Sequence, residues 1–299
     1  MLFYAVTGLI NGVISTLLGA FVYFKDRRGI INTTFVRFCL AVTIWSYGYF
    51  VWQISSAAEQ ALFWSRILMM GSIFIPITFF HFVITFLNIY QKEKKVLIIG
   101  YFLTAIFFVS NFTSLFVNRV EPALFFPFWP KPGPVFHLFH LMFVSYAFYF
   151  WYLLFKHQQK ETGIRKNQIR YVLLGSLIGF LGGSTNHFLW YNIPIPPVGN
   201  FLPAVGFSLI AFAILKYHLF EIKVILTEIL VGVMGVLLLI FPFLLPGNYR
   251  IFAIGVFLVF CIFVYYLIKA THEKARRREE ESKRREAAEK LAIQEKALR

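Results

Sequence analysis

The run IFAIGVFLVFCIFVYYLI (251–268) passes without a break into KATHEKARRREEESKRREAAEKLAIQEKALR (269–299). The first part is apolar over a length that crosses a bilayer; the second is so charged that only water solvates it. From Val256 to Arg299 there is neither glycine nor proline. Nothing interrupts a helix, so the sequence predicts one continuous rod of about 66 Å at 1.5 Å per residue. A rod that leaves a membrane in this way can carry the state of a bundle to the cytoplasm.

The rest of the chain supplies the bundle. Mean hydropathy is +0.68 and 59% of residues are hydrophobic, outside the range of soluble domains. Half of the acids, seven of fourteen, lie after Thr271. Apolar runs of about 20 residues, without period-two alternation, exclude a β-barrel and predict an all-α, polytopic membrane bundle. Nine spans are expected, at 2–24, 35–54, 63–87, 96–117, 135–155, 171–189, 198–215, 224–245 and 251–268. Alternate connections hold fifteen and four Lys or Arg, which places the N-terminus outside and the charged tail in the cytoplasm. Positive charges follow the first apolar run and do not precede it, so Leu2–Phe24 reads as a retained span.

The net charge of +15 is spread over short loops. It reads as a topology signal and an attraction to lipid headgroups, with no nucleic-acid footprint. Cys39 and Cys261 both fall inside predicted spans and form no zinc spacing.

Two outer connections, NRVEPALFFPFWPKPGP (118–134) and WYNIPIPP (190–197), are rich in proline and aromatics. They are expected to be ordered lids or an interfacial aromatic belt. Polar groups near that face are the candidate ligand site: Trp64, Arg66, Trp129, His137, His140, Asn186, His187, Trp190 and Asn200. Arg66 either meets an anionic or carbonyl-bearing ligand, or snorkels, or pairs with Glu59. The three histidines either bond across helices, contact ligand or hold a metal; no acid or cysteine joins them, and no metal or other cofactor is assigned. Gly179, Gly182, Gly183 and Ser184 form a small-residue patch suited to close helix packing, or to a cavity wall or hinge. His81 reads as a packed histidine with one hydrogen bond.

NFLPAVGFSLIAFAILKYHLFEIKVILTEIL (200–230) resembles the last span and exit of the N-terminal seven-helix sensor region of bacterial histidine kinases. Leu202, Pro203, Lys216, Tyr217, Leu219, Phe220, Glu221 and Ile222 carry that likeness. In WSRILMMGSIFIPITFFHF (64–82), Trp64, Arg66, Pro76 and Phe79 resemble the family's third span, and FPFWPKPG (126–133) its aromatic outer loop. The resemblance implies a sensor domain over 1–217, a linker and two-span hairpin over 218–268, and a cytoplasmic signalling helix over 269–299. Lys216, Tyr217, Phe220, Glu221 and Lys269 would transmit the signal. No phosphoacceptor helix or ATP lid is present in the sequence, so a cytoplasmic kinase domain is expected in cis or in trans.

In the tail, Ala287, Leu291 and Leu298 fit a heptad seam that Arg284 and Glu295 weaken, so it is either a solvated single helix or a homodimeric stalk. These features together predict a two-component sensor in the bacterial inner membrane, in contact with lipids. A small-solute transporter and a lipid-contacting structural subunit are the alternatives.

Overall fold

The computed structural model describes residues 2–215 and scattered positions between Ile254 and Glu273. It has two compact units, Met1–Ile214 and Leu215–Arg299. In the second unit the described positions are helical, and the charged helix predicted over 269–299 lies almost wholly outside the described residues, as does span 224–245. The expected count of nine spans therefore rests in part on residues outside the described ones.

The first unit contains α1 (Leu2–Lys25), α2 (Ile30–Gln53), α3 (Ala58–Phe86) and α4 (Tyr90–Ser110). A hairpin of β1 (Val117–Ala123) and β2 (Phe126–Pro132) precedes α5 (Pro134–Lys160), α6 (Gly163–Ser184), the single turn α7 (His187–Trp190) and α8 (Leu202–Leu215). Five segments are long and apolar enough to cross a membrane: α1, α2, α3, α5 and Gly163–Trp190. α4 carries Lys92, Glu93, Lys94 and Lys95 in its first turns, and α8 is described over only 14 residues.

Helix ends depart from the apolar runs where polar residues continue the hydrogen-bond ladder. α6 begins eight residues before the expected 171, because Arg165–Arg170 are helix-compatible and all but Ile169 are exposed or half-buried. The fourth span, expected to reach 117, ends at Ser110, and Val117 opens a strand. α3 stops where Asn88 adopts φ 59°, with Ile89 N–H donating to Ile84 O at 2.9 Å, the left-handed close that Asn tolerates.

α3 is the central helix: 72% of its apolar window is buried, against 44–56% in the other four segments. Glycines set how closely α2 approaches it. A Cβ on Gly48 would lie 2.7 Å from Leu68 Cα, and one on Gly71 would lie 2.9 Å from Trp45 Cα. Phe79 joins Phe38, Phe150 and Phe180 at ring-centroid distances of 4.7–5.2 Å, forming the aromatic core among α2, α3, α5 and α6.

Two polar fastenings flank this core. Tyr149 OH donates to Glu93 Oε2 at 2.7 Å, although Glu93 is only 5% exposed. The guanidinium of Arg165 lies 4.4 Å over the Phe86 ring and donates to Phe86 O at the C-terminus of α3, where the helix dipole favours a cation. Removing one partner of a buried charge-assisted bond costs more than the bond itself contributes. Tyr149→Phe is therefore expected to destabilise by about 2 kcal/mol, and Tyr149→Phe with Glu93→Gln by less; thermal melts in detergent compare them. Equal losses in the single and double variants would show that the carboxylate is solvated.

Candidate functional site at the hairpin end of the bundle

The proline-rich connection 118–134 is folded as an antiparallel hairpin, a departure from an all-helical chain. Val120 pairs with Pro130 and Glu121 with Trp129, with irregularities on either side. Pro122, Pro127, Pro130 and Pro132 fit because a two-stranded ribbon leaves one edge of each strand without a ladder partner. The turn is Leu124-Phe125, with Leu124 at φ 53°, a conformation usually left to Gly or Asn.

Two hydrogen bonds pin the hairpin to the helices. Trp52 Nε1 donates to Phe128 O at 2.8 Å, and Arg66 Nη2 donates to Val117 O at 3.3 Å. Asn111 Nδ2 in turn holds Arg66 O at 2.8 Å. Arg66 is thus a strut for the hairpin; among the described residues the one ion pair is Arg119–Glu121, so Glu59 is not its partner. Each bond contributes about 1 kcal/mol. Arg66→Met and Trp52→Phe are each expected to speed hydrogen exchange across 117–132 while leaving α3 protected. Unchanged exchange in both would show that the hairpin is held by its apolar face alone.

Trp129 is fully buried, 4.9 Å from Trp52 and 4.8 Å from Phe126 between ring centroids. It closes one wall of a cavity of about 60 Å³. Trp45, Tyr49 and Trp52 of α2 line a second wall, four and three residues apart and so on one helix face. Leu68, Met69, Ser72 and Ile75 of α3 form the third. Gly179, Phe180 and Gly183 come from the end of α6, Asn186 from the turn after it, His187 and Trp190 from α7, and Pro203 and Phe207 from α8. Pro76 has no N–H to give to the carbonyl of Ser72, which loosens the α3 ladder beside the cavity.

No Asp, Glu, Lys or Arg lines this space. Four residues of the lining each carry a polar atom that is buried without a hydrogen-bond partner: Tyr49 OH, Trp129 Nε1, Asn186 Oδ1 and His187 Nδ1. The three side chains Tyr49, Trp129 and Asn186 are at most 7% exposed.

Beside the cavity, asparagines clasp three segments together. Asn200 Nδ2 donates to Thr7 Oγ1 at 2.8 Å, and Asn186 Nδ2 donates to Asn200 Oδ1 at 2.7 Å. Asn11 Nδ2 donates to Asn200 O at 2.6 Å, and its Oδ1 accepts from Ala204 N–H at 3.0 Å. The last of these satisfies a first-turn donor of α8, which has no intrahelical acceptor. The clasp also determines the orientation of each amide. Thr7 Oγ1 donates to Tyr4 O at 2.7 Å, so it accepts from the Asn200 amino group; Asn200 then presents its oxygen to the Asn186 amino group. Asn186 is left with its carbonyl oxygen unpaired.

A curated family pattern described as the N-terminal 7TM region of histidine kinase matches residues 8–223, from the first helix past the end of α8. The chain belongs to that family. It is a multi-pass membrane protein, and the matched residues of this sensor region hold the whole cavity. No curated protein and no solved structure matches the chain.

Of the nine residues singled out in the sequence, Trp129, Asn186, His187 and Trp190 line the cavity. His140 lies behind His187 with ring centroids 4.4 Å apart, and its own Nδ1 is unpartnered. His137 is exposed, 3.3 Å from Tyr191 OH. Asn200 belongs to the clasp, Arg66 to the hairpin, and Trp64 packs edge-on against Phe63. Among the described residues no three His, Cys, Asp or Glu are grouped to hold a metal. His81 Nδ1 makes the one expected bond, to Tyr101 OH at 3.0 Å.

The small-residue patch of α6 packs against α8 and the turn before it: a Cβ on Gly179 would lie 3.8 Å from Gly206 Cα, and one on Gly182 would lie 2.7 Å from Gly199 O. Sequence reasoning passed over Trp45, Tyr49 and Trp52. Their i, i+4, i+7 spacing was the available signal, and the same spacing also describes an ordinary core face. Lys216, Tyr217, Phe220 and Glu221 lie outside the described residues, and Lys269 is an exposed helical position.

Proposed function

We infer that the region is the stimulus-receiving module of a two-component system in a bacterial inner membrane, with the hairpin on the outer face. The cavity carries this reading, because Pro203 and Phe207 of α8 are in its wall. An occupant touches the helix whose chain continues into the exit segment at Lys216, Tyr217, Phe220 and Glu221. An occupant that prefers one packing of α8 shifts the population of the bundle by its differential affinity and no more. The two-span hairpin over 218–268 and the helix over 269–299 then pass that shift, through Lys269, to a kinase domain in cis or in trans. The heptad positions Ala287, Leu291 and Leu298 pair two copies in parallel. Lipids surround the bundle, and nucleic acid is not a partner.

Filling the cavity tests this reading without a known stimulus. Ser72→Phe projects a ring into it from α3 and is expected to change hydrogen–deuterium exchange along 216–299. Unchanged exchange there, in a variant that keeps the parent melting temperature, overturns the reading. A Gly-Gly insertion after Lys269 in the full-length gene product is expected to abolish the stimulus dependence of kinase output. Normal signalling from that variant would exclude a rigid helix as the transmitting part.

A further inference from the structure

Resting on the sensor reading above, we propose that the cavity binds small, uncharged, planar aromatic molecules that carry a hydroxyl group. Three observations converge on that class. The first is charge: with no ionised side chain in the lining, a charged occupant would leave water without a counter-ion, at prohibitive cost in a low-dielectric interior.

The second is shape. Trp45, Tyr49, Trp52, Trp129, Phe180 and Phe207 present ring faces and edges to the space, and neighbouring rings are already T-shaped at 4.9–5.1 Å. A flat ring extends that packing, whereas a branched aliphatic body does not. The volume of about 60 Å³ corresponds to about four waters, or roughly 120 Å³ of liquid, about the bulk of one ring.

The third is hydrogen-bond demand. Trp129 Nε1 can only donate, so the occupant must offer an acceptor. The clasp leaves Asn186 with a carbonyl oxygen, so the occupant must also offer a donor. Tyr49 OH and His187 Nδ1 serve in either sense. A hydroxyl group both accepts and donates, so one kind of polar group suits either atom. A purely apolar ring of the same size would leave all four groups unpaired.

The test uses the full chain in lipid nanodiscs, with phenol and benzyl alcohol as probes and benzoate and benzyltrimethylammonium as charged counterparts. Saturation-transfer NMR reads binding, and Ser72→Phe defines the part of the signal that is not partition into lipid. The neutral alcohols are expected to bind and the ions not. Tyr49→Phe removes only a hydroxyl that bonds nothing in the protein, and Trp129→Phe keeps an aromatic ring while removing the unpartnered indole N–H, so both variants should fold. Each is expected to weaken phenol binding by about tenfold.

Binding of benzyltrimethylammonium as tight as that of phenol would overturn the proposal in favour of an aromatic cation cage. So would phenol affinity unchanged in both variants, or no binding of any probe. The sensor reading fails separately. If Ser72→Phe alters exchange along 216–299 while no probe binds, only the ligand class is wrong. If phenol binds at the cavity and exchange along 216–299 never changes, the site stands and the sensor reading falls.

Discussion

Gly206→Leu is expected to separate α6 from α8 and abolish the folded bundle at ordinary growth temperatures. A Cβ at Gly206 would lie 2.7 Å from Gly179 N and 2.8 Å from Gly179 Cα, both backbone atoms that no rotamer change can move. Overpacking usually costs about 1–3 kcal/mol where side chains give way; here the helices themselves must part, so roughly 3 kcal/mol or more is expected. Gly183→Ala is the matched control, because its Cβ would meet only Pro203 Cγ at 3.7 Å. Thermal unfolding by near-ultraviolet circular dichroism in detergent should show a large loss for the first and none for the second. Equal melting temperatures would mean that the two helices are not packed through their glycines.

Asn11→Leu is expected to be the next most damaging change. It strands Ala204 N–H and Asn200 O, two backbone groups inside a membrane bundle where water cannot replace the lost partner. Each orphaned group costs about 1–3 kcal/mol, although intramembrane hydrogen bonds average nearer 0.6 kcal/mol when alternative partners are found. A combined loss of about 2–4 kcal/mol is therefore expected, with faster exchange at the start of α8. Asn11→Asp at low pH keeps the acceptor for Ala204 and should recover part of it. If Asn11→Leu melts like the parent, the clasp is not what seats α8.

The helices of the bundle were legible because hydropathy is a local sum: an apolar run of about 20 residues has few other fates. Their ends were less legible. Gly163–Arg170 is polar yet helical, since a helix outlasts its apolar face wherever its side chains favour it. The strands of 117–132 were hidden by their prolines, which suit a ribbon with free edges but read in sequence as loop. Four of nine proposed site residues fell in the cavity wall because polar groups at one bundle end are few and conspicuous. Arg66 and Asn200 drew the same suspicion and proved to be partnered by backbone and by neighbouring amides.

By itself, the sequence determined membership of a membrane sensor family and the placement of its apolar segments. Both follow from the order of residues along one strand of chain. Only the tertiary structure decided which polar atoms lack partners. Asn11 and Asn200 are 189 residues apart and meet through backbone and amide groups, while Trp129 reaches α2 by way of a hairpin. Whether a buried amide is satisfied depends on helix rotation to within one residue, about 100°, and on which distant segment stands opposite. Composition and spacing carry neither quantity.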